Sequence, residues 1–198
     1  MAKWKGRNVA VLATGPSLTV EDCEAVRDAG FLTIGVNSAW MFAPWIDVLY
    51  AGDNRYWKAH IKDIEAAGVQ AMRFSRSSTA EKAVGAKYVK TKMPNDYNSG
   101  QLAIELAIRG GADLVVMLGF DVSVKDGLHC HGPHTKTPNP NEIRCGRWRD
   151  QFLRIPRTYP KANIVNCSRK TSLTCFPRQS LESLLESLSK SQAGSAAA

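Results

Sequence analysis

The chain has 198 residues, 44% hydrophobic and 22% charged, a balance that supports one sizeable core and excludes an intrinsically disordered chain. Its formal net charge of +8 favours anionic partners such as nucleotides, nucleic acid or acidic glycans, through an attraction that salt weakens and that fixes no site by itself. No apolar run approaches the roughly 18 to 20 residues that cross a bilayer, and residues 1–6 lack the apolar stretch of a secretory signal, so no membrane span and a cytoplasmic location are expected.

Taken in chain order, the first element is a branched apolar run at residues 9–13, read as a buried parallel strand. It passes into Thr14-Gly15-Pro16-Ser17-Leu18, where glycine permits a tight turn and the following helix, predicted over 19–29, could present free amides to a phosphate. The spacing is neither the G-x-G-x-x-G of dinucleotide folds nor a P-loop, so an ordinary strand-to-helix turn is an equal reading. Further strands are predicted at 31–36, ending on Asn37-Ser38, and at 48–50, ending on Gly52-Asp53-Asn54 before a helix over 54–67. Weaker strand patterns occupy 69–74 and 88–90. Asn98-Ser99-Gly100 opens a helix predicted over 99–109 that Gly110-Gly111 closes.

The strand at 114–118 runs into Gly119-Phe120-Asp121 and then into a long polar segment, 122–141, that holds most of the histidines together with Pro133, Pro138 and Pro140. Loops of that length in compact domains tend to be functional or disordered, and this one is read as an active-site loop or lid. The basic run that follows, Arg144, Arg147, Arg149, Arg154, Arg157 and Lys161, reads equally as a solvated helix face or an anion-binding face. A last strand is predicted at 163–167. Residues 191–198 are set aside as a flexible tail or cloning remnant. Alternating strands and helices predict one α/β domain over 1–190: three layers, doubly wound on a mostly parallel, Rossmann-like sheet, with a long histidine-rich loop.

Ligands of open α/β sheets bind beyond the carboxyl ends of the strands. Four such ends here carry Gly, Asn, Asp or Ser, groups that suit nucleoside hydroxyls and amide edges. The candidate nucleotide-binding residues are therefore Thr14, Gly15, Pro16, Ser17, Asn37, Asp53, Asn54, Asn98, Ser99, Gly100, Gly119 and Asp121. The sharpest local feature is His129-Cys130-His131-Gly132-Pro133-His134. One of its histidines could serve as a general base, with Asp121 or Asp126 orienting the ring. Alternatively His129, His131, His134 and Cys145 could hold zinc, although the spacing matches no standard zinc module. His60 is read as structural. Five dispersed cysteines without a CxxC pair (Cys23, Cys130, Cys145, Cys167, Cys175) argue against a disulfide framework and for free thiols. Trp40, Trp45 and Trp57 lie near strand ends, where core packing and stacking on a base are both open.

These segments resemble the bacterial sialyltransferases that use CMP-sialic acid and related phage-encoded proteins. The resemblance lies in residues 11–18, Asn37, Asp53-Asn54, Asn98-Ser99-Gly100, residues 115–121 and the late segment 166–173, in similar order and spacing. It implies a nucleotide site lined by Gly15, Pro16, Ser17, Asn37, Asp53, Ser99, Gly100 and Gly119, and a loop histidine as base, with His131 favoured over His129 and His134. It also implies a CMP-linked sugar donor and no required metal; the same pocket serves pyrophosphoryl transfer in related pterin pyrophosphokinases. The chain departs from that family in its shorter length, its proline- and cysteine-rich lid and the lack of counterparts to the nucleotide-stacking tyrosines. The expected function is glycosyl transfer from a nucleotide sugar. The alternatives are a non-catalytic phage nucleic-acid-binding or assembly protein and a zinc-binding enzyme using the His/Cys loop.

Overall fold

The computed structural model describes residues 4–94 and 96–196. Seven strands form one sheet in the order β5-β4-β3-β2-β1-β6-β7: β1 (Asn8–Leu12), β2 (Leu32–Val36), β3 (Val48–Tyr50), β4 (Met72–Ser75), β5 (Lys87–Tyr88), β6 (Leu114–Leu118) and β7 (Ile164–Asn166). Every neighbouring pair is parallel. The architecture is thus the predicted Rossmann-like α/β fold, parallel throughout its sheet. The central strands β1, β2 and β6 are apolar along almost their whole length because both faces of a parallel sheet are covered.

Strand alternation sorts the core into two layers. Ala10 and Leu12 of β1 point into one, beside Val26 of α1 (Val20–Asp28), Trp57 and Ile64 of α2 (Asn54–Ala66), Ala80 of α3 (Ser78–Val84) and Leu184 of the last helix. Val9 and Val11 point into the other, with Leu102, Ile104 and Leu106 of α4 (Ser99–Gly110), Phe152 of α5 (Glu142–Phe152) and Ile155 of α6 (Arg154–Thr158). Trp57 and Trp40 are core residues whose indole N–H groups donate to the Ala51 carbonyl and the Tyr56 hydroxyl. Trp45 lies under the Arg27 guanidinium, 4.9 Å from the ring centroid.

The helices start where a short polar side chain satisfies an otherwise unpaired amide. Thr19, Asp53, Ser77, Asn98 and Asn141 each cap a helix by accepting the N–H of the residue three positions on. The segment read as a tail continues α7 (Leu181–Ala196) in helical backbone through residue 196. Its Ser- and Ala-rich composition hides the helix because the apolar stripe fades after Leu188. Helix α3 also lies outside the predicted set, and α5 and α6 occupy the basic run that reads as a helix face without bounds. No helix among the described residues is long and apolar enough to cross a membrane.

The winding has one reversal. The chain steps outward from β1 through β5, then returns by α4 to place β6 on the other side of β1. The crevice beyond the carboxyl ends of β1 and β6 is the topological switch point.

Near the opposite end, Trp4 anchors the N-terminal segment on α4: its N–H donates to the Gly110 carbonyl over 2.8 Å, and its ring covers Gly110 so closely that a Cβ there would lie 2.2 Å from Cε3. Alanine is normally the better helix residue by about 1 kcal/mol, yet Gly110→Ala is expected to destabilise the protein by about 1–3 kcal/mol through overpacking. Urea unfolding measures this directly, and a stabilised variant would contradict the packing.

Candidate active site at the switch point

The loops after β1 and β6 are locked to one another. Gly15 N–H donates to the Gly119 carbonyl over 2.8 Å, and Asp121 accepts from Ser17 N–H at 3.0 Å and Ser17 Oγ–H at 2.7 Å. A Cβ on Gly15 would meet Asp121 Oδ1 at 2.1 Å and the Gly119 carbonyl at 2.4 Å, so the glycine is required by this internal junction. Gly119 itself has φ +69°, the left-handed region that favours glycine. The segment after β7 braces the junction from behind: Phe120 N–H donates to Ser168 Oγ, Thr171 Oγ1–H to the Phe120 carbonyl and Ser172 N–H to the Asp121 carbonyl. Burial pushes the Asp121 carboxyl above its ordinary pKa, against the Ser17 bonds that pull it down.

The predicted nucleotide residues separate into three groups around this junction. Thr14, Gly15, Asn37, Asn98, Gly100 and Gly119 line a cavity of about 130 Å³ at the switch point. Asp53 and Ser99 line an adjoining cavity of about 230 Å³ that shares Asn37 and His129 with the first. Pro16, Ser17 and Asp121 face neither: Pro16 and Asp121 border a separate groove with Asp126 and Lys170, and Ser17 is engaged by Asp121 and by the Lys170 N–H. Asn54, the first residue of α2, buries a side-chain oxygen without a hydrogen-bond partner among the described residues. The turn amides of Gly15, Ser17 and Leu18 all donate within the protein and Pro16 has none, so the expected phosphate cradle at this turn has its donors engaged. Asp53 and Asn98 are likewise employed as helix caps, and Ser99 Oγ accepts the Gly52 N–H over 3.1 Å.

Backbone strain converges on the first cavity. Asn37 and Val122 are the non-glycine residues with positive φ among the described residues, at 50° and 49°, and both line it. Asparagine tolerates this region; a β-branched valine does not, and such strain persists where the surroundings over-determine it, commonly at functional sites. Here the Arg149 guanidinium donates to the Val122 carbonyl over 3.1 Å, and Asn37 Oδ1 is buried without a partner.

All four histidines of the chain gather in one cluster, which meets this cavity through His129. His129, His131 and His134 bring ring nitrogens within 4.8 Å of one another. The His129 ring is stacked on His131 at a centroid distance of 5.1 Å and tilted against His134 at 4.1 Å. His60 of α2 follows at 6.2 Å from His134 and packs tilted against Tyr56, with ring centroids 4.6 Å apart. The turn that folds the loop back has Gly132 at φ +83°, with its N–H donating to the His129 carbonyl. Lys136 pairs with Asp63 of α2 over 2.8 Å, and Cys130 N–H donates to the Thr14 carbonyl over 3.0 Å, which together dock the loop on the scaffold.

His129 Nδ1 bonds to Thr14 Oγ1 at 3.0 Å, so Thr14, and neither Asp121 nor Asp126, orients the ring; Asp126 pairs with Lys170. The Nε2 atoms of His129 and His131 are buried without partners among the described residues. Burial lowers the pKa of all four imidazoles, His129 and His134 to about 4 each. Cys145 is buried and lines the first cavity, outside the group of converging nitrogens, so the four-ligand set with Cys145 is not assembled. Burial also raises its thiol pKa.

Sequence reasoning missed Trp148 and Arg55, read His60 as structural, and named Arg144 only within the basic run. His60 faces the cluster across the packing of α2 against the loop, and Trp148 and Arg144 sit on a helix whose arginine-rich pattern read equally as a solvated or an anion-binding face. No signal short of the tertiary fold joins these residues to the loop; the indole of Trp148, an aromatic set within a basic run, is the one local mark. No protein-family model, curated protein or solved structure matches the chain.

Two outcomes test this geometry. Folded His129 and His134 titrate near 4 instead of their ordinary 6.5, so below about 6.5 the unfolded chain binds more protons and stability falls as pH drops. The melting temperature of metal-free protein at fixed ionic strength should therefore decline from pH 7.5 to 5, and His129→Gln with His134→Gln should flatten that slope; a flat wild-type profile would exclude buried neutral imidazoles. Val122→Gly relieves a strain of about 1–3 kcal/mol and adds about 0.4–1 kcal/mol of unfolded-chain entropy. The variant also loses the packing of a partly buried side chain, so urea unfolding should show Val122→Gly less destabilised than Val122→Ala, which loses the same packing but keeps the strained Cβ.

Proposed function

We propose that the protein is a nucleotide-sugar-dependent, glycosyltransferase-like enzyme that seats the nucleotide in the switch-point cavity and the acceptor hydroxyl at the histidine cluster. The observation that carries this reading is the position of His129, which lines both adjoining cavities. A ligand lying over the ends of β1 and β6 would thus have its reacting end beside imidazole nitrogens. Trp148 and Phe152 offer aromatic surface for a base, and Asn37 an uncommitted amide oxygen for an amino or hydroxyl group. Arg55 and Arg144 border the second cavity and suit the phosphate of a CMP-linked donor.

The chemistry is a displacement at the anomeric carbon. The acceptor O–H gives up its proton at the cluster, the new C–O bond forms, and the bond between the anomeric carbon and the phosphate oxygen breaks with its electron pair leaving on the nucleotide. Neutral imidazoles accept or direct that proton, although a ring that titrates near 4 is a weak base at neutral pH.

The test is calorimetric titration and thermal shift with CMP, UDP and GDP. CMP at 100 times its Kd should add about 2.7 kcal/mol of apparent stability. Asn37→Gly keeps the positive φ accessible while deleting the side chain, and should weaken CMP binding by about 10-fold or more, the loss of one hydrogen bond to a buried polar group. No response to any of the three nucleotides would overturn the reading.

A further inference from the structure

We propose that His129, His131 and His134 form a three-histidine site for a divalent transition-metal ion, zinc by ligand preference, with its open coordination position toward the switch-point cavity. Three imidazoles from one short loop, spaced H-x-H-x-x-H around the Gly132 turn, bring their ring nitrogens within 4.8 Å of one another. On two of these rings the Nε2 atom, that of His129 and that of His131, is buried without a partner among the described residues, which costs stability unless something ligates it. Three protein nitrogens and a vacant fourth position is the pattern of catalytic rather than structural zinc.

The surroundings supply what such a site needs. When His129 donates its Nδ1 proton to Thr14 Oγ1, its Nε2 presents a lone pair, the tautomer a metal requires. The His134 backbone is held by reciprocal bonds with Asn139, and the Lys136–Asp63 pair ties the loop to α2, so the cluster sits on a fixed support. Zinc–nitrogen bonds of about 2.0–2.1 Å put tetrahedral donors about 3.3 Å apart, so the cluster must contract by about 1.5 Å. The stacked His129 and His131 rings, inclined by 6°, must turn apart to do so, a side-chain rotation the half-buried loop permits.

The role of the ion rests on the transferase reading, because a Lewis acid lowers the pKa of a hydroxyl bound to it and would so assist the deprotonation of the acceptor at the cluster. Its binding does not rest on that reading, and the two fail separately: nucleotide titration of chelator-treated protein tests one, metal content the other.

The experiment is to load the full chain with zinc, desalt it and measure metal by mass spectrometry, and to record the absorption spectrum of the cobalt form. The wild type should hold about one zinc per chain, with a tetrahedral cobalt spectrum free of thiolate charge transfer. His131→Ala and His134→Ala should each weaken zinc at least 10-fold, Thr14→Val should weaken it about 10- to 100-fold through loss of the orienting bond, and His60→Ala should leave it in place. Circular dichroism confirms that each variant folds. A wild type without zinc or cobalt, a thiolate band, or zinc retained unchanged in both histidine variants overturns the proposal.

Discussion

The contact on which the rest depends is the one between the Asp121 carboxylate and Ser17. It spans 104 residues and joins the ends of β1 and β6, the two strands between which the sheet reverses its winding. Gly15 is bare so that the carboxylate can approach, and Gly119 adopts a left-handed φ so that the chain can leave β6 toward it. Without this junction the loops above the two strands would diverge as each strand twists away, and there would be no floor for a cavity. The residues after β7 then close the back of the junction through Ser168, Thr171 and Ser172, which makes the last strand part of the same device.

A rigid floor lets the loop above it tolerate unfavourable states. Val122 holds a φ that a valine adopts at a cost of about 1–3 kcal/mol, and four imidazoles lie close together in a chain of net charge +8. Crowding protonated rings beside one another would be repulsive, so the arrangement is stable only while they stay neutral, and burial ensures this by disfavouring the charged form. Strain and suppressed charge therefore meet at one place, above the switch point, while the remainder of the sheet is conventionally packed.

Much of this was legible in the sequence, for physical reasons specific to each element. Strands β1, β2 and β6 announce themselves because a parallel strand covered on both faces must be apolar almost throughout. Helix starts at Asp53 and Asn98 are readable because capping chemistry is local. The roles of Ser17 and Asp121 were not: both residues look like ligand-binding groups at strand ends, and only the long-range junction reveals that they satisfy each other. His60 and Trp148 were invisible as site residues because a side chain's membership in a site depends on which helix face meets which loop, a tertiary property that periodicity does not encode. The same holds for Cys145, which shares a cavity with His129 but stands apart from the nitrogens it seemed to complement.

The positive charge of the chain also reads differently once the fold is known. Arg149 is committed to Glu142 and to the Val122 carbonyl, Arg154 to Asp96, and Arg169 to the buried Asp22 in a bidentate pair, so part of the basic surplus holds the structure together. Arg55 and Arg144, by contrast, stand at the rim of the cavity that His134 also lines. A field that is spread over the surface attracts anions without orienting them, whereas two guanidinium groups beside an aromatic wall and a row of neutral imidazoles define an axis. On the nucleotide-sugar reading proposed above, those guanidinium groups would take the anionic phosphate and an imidazole the reacting hydroxyl, a division of labour that a purely electrostatic nucleic-acid surface does not need.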